Sequence, residues 1–231
     1  MTELNSSSLF GKALLNGTIS KKQLSILFFP VVFLQMACWA IARILYPFDE
    51  GYYMNSLHIS RQGNILMNPV GGWFFVISTA ITGFFLVFYF IFLYRRLLPS
   101  FKYLTRLFLF TGTVGGIGLA FVGMFPEGPN STIQILHNVG STCAFTGLGC
   151  TAGFSLLIML VRIIQKRPWP SIPQFLGVFA LTFHFVLMFP FTLGSVNQWT
   201  GFYIIFVWVV GMFLIAPEFP EAVTDETNKK R

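Results

Sequence analysis

Charge is what this sequence has least of. Asp, Glu, Lys and Arg supply 10% of its 231 residues, where a soluble domain carries roughly 25%. So few charges cannot cover a soluble surface of this size, and that class is excluded. Residues 168–217 hold no charged side chain at all. Cysteine is scarce too, and Cys38, Cys143 and Cys150 all lie inside apolar runs. Cys143 and Cys150 would stand about 10.5 Å apart on one helix, too far for a disulfide. All three read as buried small hydrophobes, and they identify no redox compartment. Catalytic signatures are missing as well. There is no Walker loop, dinucleotide fingerprint, G-x-S-x-G or H-E-x-x-H, and the chain has only 3 histidines. No cofactor is expected.

What is present is grease. Hydrophobic residues make up 55%, the mean hydropathy is +0.70, and phenylalanine occurs 29 times. The fold class that follows is all-α, a polytopic integral membrane protein. A helix needs roughly 20 apolar residues to cross the hydrocarbon layer. Uncharged or nearly uncharged runs of that length fall at 24–42, 70–94, 107–126 and 133–161. The long apolar stretch from 168 is split by the polar GSVNQWTG (194–201) into spans at 173–193 and 199–216. The expectation is a six-transmembrane-helix bundle over 24–216. A polar N-terminal segment, 1–23, precedes it, and a disordered tail, 217–231, follows. No A-x-A-like site follows the first apolar run, so that run reads as a retained span.

Lys and Arg set the orientation. With six spans, one side holds Lys12, Lys21, Lys22, Arg95, Arg96, Lys102, Arg106, Arg162, Lys166, Arg167, Lys229, Lys230 and Arg231. The other side holds Arg43 and Arg61. Both termini are therefore expected in the cytoplasm, with the protein in the cell membrane. The net charge of +7 is explained by topology and contact with anionic lipid, and calls for no nucleic acid.

Small residues suggest how the bundle packs. Gly112, Gly116 and Ala120 recur every four residues in the third span, and Gly140, Ala144, Gly147 and Thr151 share a face of the fourth. A tight antiparallel contact between these two spans is expected. The pattern does not separate contacts within one chain from those of a homo-oligomer. Pro30 and Pro190 lie inside spans and are expected to kink them.

The side poor in cations collects the unusual chemistry. Its first loop, YPFDEGYYMNSLHISRQGNILMNP, offers Asp49, Glu50, His58, Arg61, Gln62, Asn64 and Asn68, with Arg43 one turn earlier. The loop after the third span adds Glu127, Asn130, His137 and Asn138. One reading is a folded cap, with Arg43 or Arg61 paired to Asp49, Glu50 or Glu127 and His137 capping local hydrogen bonds. A second is a site for a lipid head group, formed by Arg43, Asp49, Glu50, His58, Arg61, Glu127 and His137. There arginine would meet phosphate, and the acid and histidine groups would meet hydroxyls or amines. A third is a lipid hydrolase or head-group transferase built on His58, His137 and Glu127 or Asp49. His184, in the middle of the fifth span, raises proton-coupled transport, with no acid in any span to partner it.

Four segments carry a resemblance. HISRQGNILMNPVGGWFFVIS, FLYRRLLPS, GGIGLAFVGMFPEGPNS and LHNVGS together resemble the prokaryotic membrane family of unknown function DUF998. That family is similar in turn to the wider Frag/DRAM/Sfk group of six-helix membrane proteins. The matching positions are Ile59, Ser60, Gly63, Asn68, Pro69, Gly123, Phe125, Pro126 and His137. Arg61 and Gln62 stand where a small or apolar residue is expected. The resemblance implies six helices over about residues 24–215. It points to the cation-poor face and to lipid handling, and it implies no reaction.

Overall fold

In the computed structural model, residues 3–47, 58–98, 101–128, 130–167, 169–188 and 195–217 are described. The tail from 218, Asp49, Glu50 and Pro190 lie outside them. Seven α-helices and no strand occur among the described residues: α1 (Glu3–Leu15), α2 (Lys21–Ile44), α3 (Gly71–Leu97), α4 (Lys102–Met124), α5 (Ser131–Ile164), α6 (Ile172–Met188) and α7 (Ser195–Ile215). A short 3-10 helix, Ile59–Gly63, lies between α2 and α3 and is called the cap helix below. Five helices, α2, α3, α4, α5 and α7, are long and apolar enough to cross a membrane. The protein is a multi-pass membrane protein. The described part of α6, 17 residues long, spans about 25 Å.

Local chemistry explains the helix starts. Ser20 and Gln23 form a reciprocal capping box at the start of α2, which satisfies two otherwise orphaned donors. Asn130 accepts from the backbone N–H groups of Thr132 and Ile133 and opens α5. The N-terminal segment is itself partly helical. α1 turns its Ala13 and Leu14 toward the core, and the chain then reverses at Gly17, whose φ of 67° suits glycine. α2 runs continuously through Pro30.

Two kinds of helix contact build the bundle. At the first kind, backbones touch. A Cβ added to Gly83 on α3 would lie 2.2 Å from the Ala120 amide nitrogen, and one on Gly123 would lie 2.4 Å from that of Ala80. Across the next seam, a Cβ on Gly118 would lie 2.4 Å from the Ala144 nitrogen, and one on Gly147 2.5 Å from that of Gly115. The expected contact between α4 and α5 is therefore present, and the stripe from Gly140 to Thr151 does face α4. The Gly112, Gly116 and Ala120 stripe does not face α5. It packs on Phe90 and Gly83 of α3. α4 is small on two faces because it lies between two neighbours.

The second kind of contact is made of rings. Phe28 on α2 stacks on Phe213 of α7 at 4.2 Å between centroids. Trp39 meets Phe202 and Phe206 edge to face at 5.4 and 5.5 Å. Tyr89 on α3 donates to the Val209 carbonyl at 2.7 Å. The reading of all three cysteines as buried needs correction. Cys38 is buried, Cys143 is half-buried and Cys150 is exposed on α5. In a membrane protein the outer surface is apolar too, so an apolar run does not imply a core position.

Candidate ligand-binding site

The cap helix is tied down on three sides. Toward α4 and α5, Ser60 Oγ donates to Glu127 Oε2 at 2.8 Å, and Arg61 Nε pairs with Glu127 Oε1 at 3.4 Å. Toward α7, the Ile59 amide donates to Gln198 Oε1 at 2.9 Å. Toward α2, Asn68 Nδ2 donates to the carbonyls of Ala42 at 2.9 Å and Gln62 at 3.0 Å. Asn68 Oδ1 in turn accepts from the Gly71 amide at 3.1 Å, at the start of α3. One asparagine thus joins three elements, and a buried asparagine needs such partners.

His137 lies in the first turns of α5 and is 3% exposed. Its Nδ1 is 2.8 Å from the Phe125 carbonyl, so Nδ1 carries the proton, because a carbonyl can only accept. The ring thereby caps the end of α4, where the last carbonyls lack helical partners. Gly128 and Asn138 extend this network through Gln134, whose amide accepts from the first at 3.2 Å and donates to the second at 2.9 Å.

The predicted residues therefore separate. Arg61 and Glu127 are brought together, and His137 closes the neighbouring turn. His58 is exposed at the start of the cap helix. Arg43 lies instead in a cleft of about 300 Å³ between the end of α2 and the start of α7, with Met36, Trp39, Ala40, Ile44, Trp199 and Tyr203. The cap helix is anchored beside this cleft on both sides, because Ala42 adjoins Arg43 and Gln198 adjoins Trp199. The cleft opens to the bundle's outer surface, where Ile44 and Tyr203 are exposed. Gln62 is fully buried within the cap, and neither its Nε2 nor its Oε1 has a partner among the described residues. Among the described residues no group of three or more His, Cys, Asp or Glu could hold a metal ion. His184 is exposed on α6.

Sequence reasoning missed Gln198, Trp39, Trp199 and Tyr203. A signal for the last three existed. Tryptophan and tyrosine near the ends of spans sit at the level of lipid head groups, and Arg43 stands beside them.

The family positions gain a physical meaning. Ile59 is completely buried. Gly63 abuts the ring of Phe75, and Gly123 abuts the α3 backbone. Ser60 and Asn68 supply bonds that hold the cap helix, and His137 holds the neighbouring turn at Phe125. A family model described as a protein of unknown function (DUF998) matches residues 31–215. No curated protein and no solved structure matches the chain.

Proposed function

The chain belongs to the DUF998 family, and we propose that this member is a non-enzymatic membrane protein that binds a lipid on the side of the cap. The observation that carries this reading is the cleft between α2 and α7. Its walls are apolar and aromatic, it opens where acyl chains would lie, and a guanidinium stands among its lining residues. Arginine suits a phosphodiester in such a place, because it offers several donors and keeps its charge. In this reading Arg61 and Glu127 hold the cap helix, and Arg43 meets the lipid.

The proposal includes a topology. α6 belongs to the fifth of six spans, and both chain ends lie with the Lys- and Arg-rich loops in the cytoplasm. The cap then faces outward from the cell membrane. The bias of thirteen cations against two supports this orientation.

The test is native mass spectrometry of gently solubilised protein. Wild type is measured beside Arg43→Ala and Ala40→Trp, the second filling the cleft with an indole. A lipid retained by wild type should be lost from Ala40→Trp and weakened in Arg43→Ala. Equal lipid loads in all three proteins would overturn the proposal.

A further inference from the structure

A second site lies at the opposite end of the bundle, where α5 stops. Past Ile164 the chain turns through Lys166, a non-glycine residue in the left-handed region with φ 54°. The Arg167 amide returns to the Arg162 carbonyl at 3.0 Å. This turn carries Trp169 over Arg162, whose guanidinium carbon is 5.1 Å from the ring centroid. Trp169 is held in place because its Nε1 donates to the Ile215 carbonyl at 2.5 Å, at the end of α7. Lys21 Nζ takes the neighbouring carbonyls of Leu214 and Ala216 at 2.7 and 3.3 Å. The carbonyls of Leu214, Ile215 and Ala216 are therefore engaged.

Two donors of Arg162 find no acceptor among the described residues: its Nε and Nη1 are both buried, and neither has a hydrogen-bond partner there. A buried cationic donor without an acceptor is costly. The surroundings make the deficit worse, because Arg167 is close enough for its charge to act on Arg162. No acidic residue occurs between Glu127 and Glu218, so α5, α6, α7 and their connections supply no counter-charge.

We infer that Arg162, with Arg167 beside it and Trp169 as its wall, forms a site for a phosphate group, that of an anionic phospholipid in the adjoining leaflet. Tryptophan belongs at head-group depth, and basic pockets between helices hold phosphate head groups. The site is separate from the α2–α7 cleft and does not depend on the reading given for it.

The experiment compares the full chain in phosphatidylcholine discs with discs that also contain phosphatidylglycerol. A third sample adds inorganic phosphate to the phosphatidylcholine discs. Thermal unfolding and native mass spectrometry are read for wild type, Arg162→Gln, Arg167→Gln and the exposed control Lys102→Gln. Phosphatidylglycerol should raise the unfolding temperature of wild type and of Lys102→Gln. Its retention should fall about fivefold for each site cation removed. Should Arg162→Gln not fold, Arg167→Gln carries the comparison. Stabilisation by inorganic phosphate alone, lost in the same variants, would keep the site and make its ligand a soluble phosphate. A wild-type response in Arg167→Gln, or no response of wild type to either phosphate source, would overturn the inference.

Discussion

Gly118 on α4 rests directly on the backbone of α5, whereas Phe28 on α2 meets α7 through a stack of two rings. Both contacts join apolar helices, yet they differ in kind. In lipid no hydrophobic exclusion draws helices together, so attraction must come from close packing. Backbone contact places many atoms at van der Waals distance and leaves no slack. Rings span a wider gap, but they do not tile it. At the cap end, past Trp39, the gap between α2 and α7 remains as the cleft beside Arg43. The glycine seams of α3, α4 and α5 thus make a frame, and the aromatic seam leaves a usable volume at its edge.

The contrast should be sharpest in Gly118→Val. The new Cβ would stand 2.4 Å from the Ala144 nitrogen, and a helix backbone cannot yield locally. A loss of about 3 kcal/mol or more is expected, visible as loss of the folded peak in size-exclusion chromatography. Wild-type unfolding of Gly118→Val would mean that the seam is loose. Trp39→Ala comes next. It removes a ring and the 3.1 Å bond from Nε1 to Thr79, and should cost about 3 kcal/mol in a dry core. Here lipid or detergent can enter the widened cleft, so folded protein should survive and carry more lipid. Equal intolerance of Gly118→Val and Trp39→Ala would erase the distinction between frame and adaptable seam.

Much of the frame was legible in the sequence. A bilayer leaves the backbone no polar partner, so long apolar runs must be helices; each of the six expected runs holds one, and five of these are long and apolar enough to cross a membrane. The small residues of α5 were legible as a contact face because their spacing repeats with the helix. Their counterparts on α4 were not. Spacing marks a face without naming the neighbour, and TGTVGGIGLAFVG carries two such faces. Pairing of Glu127 with an arginine was legible only as a set of choices, since residues 61 and 127 meet through the fold. The cleft was illegible for the same reason. Its lining comes from α2 and α7, at opposite ends of the chain, and no local pattern announces a gap left by ill-fitting rings.

A third, smaller effect tests the cap that spans both seams. His137→Ala leaves the part-buried Phe125 carbonyl without its donor, which should cost about 1–2 kcal/mol. The measurement is thermal unfolding, with Asn68→Ala as a second probe of the same cap. A negligible change in both would show that the cap is not a clamp.

The smallest effect distinguishes holding from binding. Arg61 and Glu127 have side chains 39% and 20% exposed, so water and salt screen their attraction. Arg61→Gln should therefore cost about 0.5 kcal/mol, and the loss should shrink further as ionic strength rises. Glu127→Gln keeps an oxygen for the Ser60 hydroxyl and should cost no more. Neither change should alter lipid retention if the ligand sits with Arg43. A large loss of bound lipid in Arg61→Gln, with stability unchanged, would move the binding site from the aromatic cleft to the cap, and the guanidinium of Arg61 would then be more than a tether.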